Sequence, residues 1–69
     1  MYTIIDRSST SAIVLYNDQF FKVSDNGNET LIFKCDENGS VAFLVEIGGG
    51  RGLTLDEVLE DFPRWCWGL

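Results

Sequence analysis

Asp56, Glu57, Glu60 and Asp61 stand at i, i+1, i+4 and i+5 of a segment with helical spacing, which gathers four carboxylates into one negative patch. Carboxylates so arranged imitate the phosphates of a nucleic acid. Like charges this close cost about a few tenths of a kcal/mol per pair on a helix, a cost that mixed charge would avoid. An ordinary solvated face accounts for the same polarity, because the opposite side of the segment is apolar. Asp36 and Glu37 are a carboxylate pair of the kind used in acid–base work, but they fall in a turn open to water. Histidine is absent from the chain, which removes the commonest general base and the commonest metal ligand. Cys35 and Cys66 are the only cysteines, too few for a zinc site without histidine and without the C-x-x-C spacing of a redox pair. They are expected to be reduced and buried as small hydrophobes. No catalytic residue, metal or cofactor is expected, and the chain does not read as an enzyme.

Two further segments carry residue types suited to contact. Phe62-Pro63-Arg64-Trp65-Cys66-Trp67-Gly68-Leu69 concentrates apolar side chains where small chains usually turn polar. Trp and Arg are the types most enriched at binding hot spots, so Trp65 and Trp67 are candidate anchors for a partner. A small core also needs every large apolar side chain, and one indole packed inward with the other outside would satisfy both demands. Gly48-Gly49-Gly50-Arg51-Gly52 invites comparison with phosphate-cradling loops, but it has no G-x-x-x-x-G-K-[ST] pattern, and Asp56 and Glu57 follow where an anion would approach. This segment is expected to be a flexible hinge between strand and helix.

The whole chain has 69 residues, 45% of them hydrophobic and 23% charged, with a net charge of −6. That is one small domain able to collapse around a thin core. Its charge disfavours direct binding to DNA or RNA, since five basic residues cannot build a phosphate-binding stripe. It suits a partner with a basic surface, although acidity also serves solubility alone. Residues 1–24 balance to zero, 25–46 carry −4 and 47–69 carry −2, so the charge gathers on turns and one helical face. The N-terminus lacks a basic segment followed by an apolar run, and no stretch is long enough to span a bilayer, so a cytoplasmic location without membrane contact is expected. Asn28-Glu29-Thr30 matches a glycosylation sequon and is read as turn chemistry.

Turn-forming clusters recur between short β-rich runs, which predicts an antiparallel meander with strands near 2–7, 11–16, 19–24, 29–35 and 40–47. Asn26-Gly27 and Asn38-Gly39 are favoured hairpin pairs, because both residue types tolerate positive φ. Alternation nominates Leu31, Phe33 and Cys35 with Val41, Phe43, Val45 and Ile47 as core, and favours Phe21 with Val23 over Phe20. The run Ala12 to Tyr16 is apolar on both faces and cannot be oriented by periodicity. Thr54-Leu55-Asp56-Glu57 reads as a capping box opening a helix near 54–62, with Leu55, Val58, Leu59 and Phe62 as its buried stripe. Pro63 ends or kinks that helix. The fold class expected is therefore α+β: a small antiparallel sheet of four to five strands, one face covered by a C-terminal amphipathic helix and the other left open.

The segment Gly52-Leu53-Thr54-Leu55-Asp56-Glu57-Val58-Leu59-Glu60 resembles the strand exit and helix start of small HicB-type antitoxin domains. The likeness spans nine residues, which a capped amphipathic helix explains without kinship, and no family is assigned. In size and charge the chain is similar to small acidic phage inhibitors of host defence, anti-CRISPR proteins among them. The function expected is a non-enzymatic protein-binding module that blocks a basic, nucleic-acid-handling partner. Its contact set would be Asp56, Glu57, Glu60 and Asp61, with Asp25, Glu29, Asp36 and Glu37 at the hairpin tips and Trp65 and Trp67 as apolar anchors. The alternatives are a homodimer formed through the open sheet face and aromatic tail, or an antitoxin or immunity protein.

Overall fold

Each β-rich run pairs with the run before it. The computed structural model describes residues 1–41 and 45–67. In it β1 (Tyr2–Arg7), β2 (Ser11–Tyr16), β3 (Gln19–Asp25), β4 (Glu29–Cys35) and β5 (Glu46–Arg51) form one antiparallel sheet in sequence order. Two short helices, α1 (Leu55–Glu60) and α2 (Phe62–Trp65), follow and pack against it, which makes the fold an α+β meander. Turn chemistry sets the register. Gly27 takes φ +96° beside Asn26, whose side chain accepts from the amides of Asn28 and Glu29. Asn17 and Asp18 both adopt positive φ and join β2 to β3 as a two-residue primed turn. Asn38-Gly39 also makes its turn, with Gly39 at φ +85°, but the chain leaving it does not pair at once with β4.

The helices cover the face built from Ala12, Val14, Phe21, Val23 and Ile32, all buried. Thr54 caps α1 with the full reciprocal box to Glu57, and Leu55, Val58, Leu59 and Phe62 meet the sheet as their spacing predicts. The helix breaks at Asp61, two residues before Pro63, and a second turn resumes at Phe62 with the proline in its first turn, where its missing amide costs no hydrogen bond. The Phe62 ring lies against Tyr2, Tyr16 and Phe21.

Several expectations need correction. The fifth strand is Glu46–Arg51 rather than 40–47; Ser40, Val41 and Val45 lie outside any strand, and Ala42, Phe43 and Leu44 lie outside the described residues. Gly48, Gly49 and Gly50 are consequently ladder residues opposite Ile32, Leu31 and Thr30, not a hinge. The reason is close approach: a Cβ on Gly48 would sit 2.2 Å from the Trp65 carbonyl oxygen, and one on Gly49 would sit 1.9 Å from that of Thr30. The inner face of β4 is also the opposite one. Thr30 and Ile32 are buried there, while Leu31, Phe33 and Cys35 are half-buried on the far side with Ile13, Leu15 and Phe20. Thr30 can occupy the core because its hydroxyl donates to the Leu53 carbonyl at 2.7 Å. Val45 is 65% exposed, whereas Ile47 packs against the core. The far face is not bare either, since Gly39 lies against the Ile13 side chain.

Candidate functional site

The capped start of α1 fixes the direction in which its carboxylates point. Because Leu55, Val58 and Leu59 are held in the core, Asp56, Glu57 and Glu60 are turned outward, and all three are exposed together with Asp61. They differ in what occupies them. Asp56 pairs with Arg7, the sole ion pair among the described residues. Glu57 is committed to the cap, its Oε1 accepting from the Thr54 amide at 3.1 Å. The carboxylates of Glu60 and Asp61 make no hydrogen bond or ion pair with other described residues, so they are the free charges of the patch.

The hairpin-tip carboxylates are divided between the two ends of β4. Asp25 joins the start of α1: one carboxylate oxygen accepts from the Gly27 amide at 2.8 Å and the other from the Leu55 amide at 3.3 Å. Glu29 is at the same end, across the ladder from Arg51. Asp36 and Glu37 are at the other end, about 20 Å away along the strand. Asp36 organises its own turn by accepting from the amides of Asn38 and Ser40, and Glu37 stands exposed at the tip. The structure thus brings Asp25, Asp56 and Glu57 together and leaves Asp36 and Glu37 apart from them.

The two indoles part company. Trp65 is half-buried against the core with the Arg64 guanidinium 5.3 Å from its ring centre, whereas Trp67 is 64% exposed. Between them Cys66 is buried and forms a bridge with Gly48, and the Trp67 amide donates to the Ile47 carbonyl at 2.9 Å. The tail is thereby fastened to the outer side of β5. Cys35 is half-buried on the opposite face, in an open cleft with Val41, Val45 and Ile47. Burial pushes its thiol above the ordinary value; the Asp36 charge adds to this and Lys22 offsets part of it. A thiol held protonated is a poor nucleophile.

Residue type alone does not single out Ile4 and Ile5, which are 41% and 49% exposed on β1. The signal is their adjacency, which interrupts alternation and falls at a bulge between Ile4 and Asp6. The extra residue turns Arg7 to the helix side of the sheet, opposite Ala12, where it reaches Asp56. Among the described residues no group of three or more His, Cys, Asp or Glu is placed to hold a metal ion, and no helix is long and apolar enough to cross a membrane. No protein-family model, curated protein or solved structure matches this chain.

Proposed function

We propose that the chain is a non-enzymatic protein-binding module, an acidic inhibitor that covers a basic, nucleic-acid-handling surface of another protein. The observation that carries this reading is the pair of uncommitted carboxylates, Glu60 and Asp61, exposed beside a helix whose other side is locked into the core. Charges on a rigid support meet a fixed array of Lys and Arg without the ordering cost a mobile tail would incur. Trp67 offers a large apolar side chain for the same purpose. Size and charge are those of small phage inhibitors of host defence, and a cytoplasmic setting suits the unbridged Cys35 thiol.

Glu60 and Asp61 are the residues to reverse. Glu57 would be a poor choice, because its loss would open the cap. Lysines at the C-terminal end of α1 complement the helix dipole, so Glu60→Lys/Asp61→Lys is expected to fold normally. Protein captured by the wild-type chain from the cells that make it, and displaced by duplex DNA, should be retained about tenfold less by the double variant. Equal retention by both, or no DNA-sensitive protein captured, rejects the reading.

A second reading is self-association through the far sheet face, favoured by the half-buried Leu15, Phe20, Leu31 and Phe33 that share it. Light scattering over a concentration series decides it: a monomer throughout removes this reading.

A further inference from the structure

The two edges of the sheet are unlike. The outer side of β5 is taken by the tail, whereas nothing among the described residues pairs with the outer side of β1. Register identifies the groups that this free edge presents. Tyr16 and Gln19 close the two-residue turn between β2 and β3, so the Tyr16 amide and carbonyl point towards β3. Tyr2 and Ile4, opposite Tyr16 and Val14, therefore turn their own amides and carbonyls outward. An edge with free donors and acceptors is a template for one more strand.

What that strand must carry is set by α1, which packs over the sheet and is tied at both ends to β1 by side chains. At one end of β1 the Tyr2 hydroxyl donates to the Leu59 and Glu60 carbonyls at 2.6 and 2.8 Å; at the other Arg7 pairs with Asp56. Asp56 and Glu60 are one helical turn apart, and exposed Ile4 lies between Tyr2 and Arg7 in the strand. A second copy is a poor occupant. Pairing β1 with its twin about a two-fold axis places two α1 helices on the same face, side by side, each bearing Glu60 and Asp61, in chains that each carry −6. A strand with Lys or Arg at alternate positions brings the opposite charge to the helix side. We infer that the free edge of β1 accepts an extended basic segment of the partner as a sixth strand, its cations on the helix side reaching the uncommitted Glu60 and their aliphatic stems covering Ile4, which shares that side with Val14. This rests on the inhibitor reading and specifies where contact is made.

A fluorescent peptide of alternating arginine and valine, about seven residues long, is the probe, followed by anisotropy with the whole chain. Its control has the same sequence and charge, with the amides along one edge N-methylated. The unmodified peptide is expected to bind at least about tenfold more tightly than the methylated one. Ile4→Pro, which removes an outward amide from an edge strand, is expected to weaken binding of the unmodified peptide by a similar factor. Should Ile4→Pro fail to fold, the methylated peptide decides alone. Equal binding of both peptides, no binding of either, or a dimer that Ile4→Pro dissolves overturns the inference. Equal peptide binding with capture lost in Glu60→Lys/Asp61→Lys rejects the edge and keeps the inhibitor reading; unchanged capture in that variant rejects the reading itself.

Discussion

Phe62→Ala is expected to bring the chain to the brink of unfolding. The side chain has no exposed surface, and its ring centre lies 5.8 Å from that of Tyr2, 5.7 Å from Tyr16 and 5.6 Å from Phe21. One residue therefore fastens α2 to three successive strands. Truncating a buried phenylalanine costs about 3–5 kcal/mol through lost burial and the cavity left behind. A domain of this length has roughly 3–10 kcal/mol of stability in total. Urea denaturation followed by far-ultraviolet circular dichroism should show the folded baseline shortened or absent, with Phe62→Leu recovering part of the loss. A midpoint shift worth less than about 1 kcal/mol would show that the ring cluster is not the centre of the core.

Gly49→Ala is expected to damage the sheet much more than Gly52→Ala, although both glycines have positive φ. At Gly52, φ +77°, a new methyl group would meet nothing within 4 Å, and the cost is that of the left-handed backbone, about 1–2 kcal/mol. At Gly49, φ +91°, the same methyl would stand 1.9 Å from the Thr30 carbonyl oxygen and 2.9 Å from the Leu31 Cα. Both atoms are backbone of β4, so no change of rotamer relieves the overlap and the ladder between β4 and β5 must part. Thermal unfolding of the two variants, run in parallel, should give a clearly lower midpoint for Gly49→Ala. Coincident midpoints would mean that β5 does not approach β4 as closely as described.

These two positions also mark where the fold was legible in the sequence and where it was not. Local rules carried far: the Thr54–Glu57 box, the stripe through Phe62, the interruption before Pro63 and the first four strands all follow from neighbours within one or two turns. The fifth strand failed because β propensity favours the valine-rich run after Ser40 over a run of glycines. What places Gly48 and Gly49 in the sheet is the nearness of Trp65 and Thr30, distant in the chain. The inner face of β4 failed for a related reason. Thr30 looks like an outward residue until its hydroxyl is matched with the Leu53 carbonyl, 23 positions away. At the candidate surface, residue types marked the charges, but only geometry separates Glu60 and Asp61 from Asp25, Glu57 and Asp36, whose carboxylates are tied to backbone amides.

The strict sequence order of the strands has a kinetic consequence. Every ladder closes a connection between adjacent segments, with two residues between β2 and β3 and a longer excursion only before β5. Such closures are entropically cheap, and a topology made of them belongs to the faster class of small β-containing domains. The contacts that reach farthest along the chain join the first strands to the helical layer, among them the Tyr2 hydroxyl with the end of α1, 57 and 58 positions away, and the Tyr2 ring with Phe62. Docking of the helical layer is thus the step that bears the long-range entropy, and the sheet is its template.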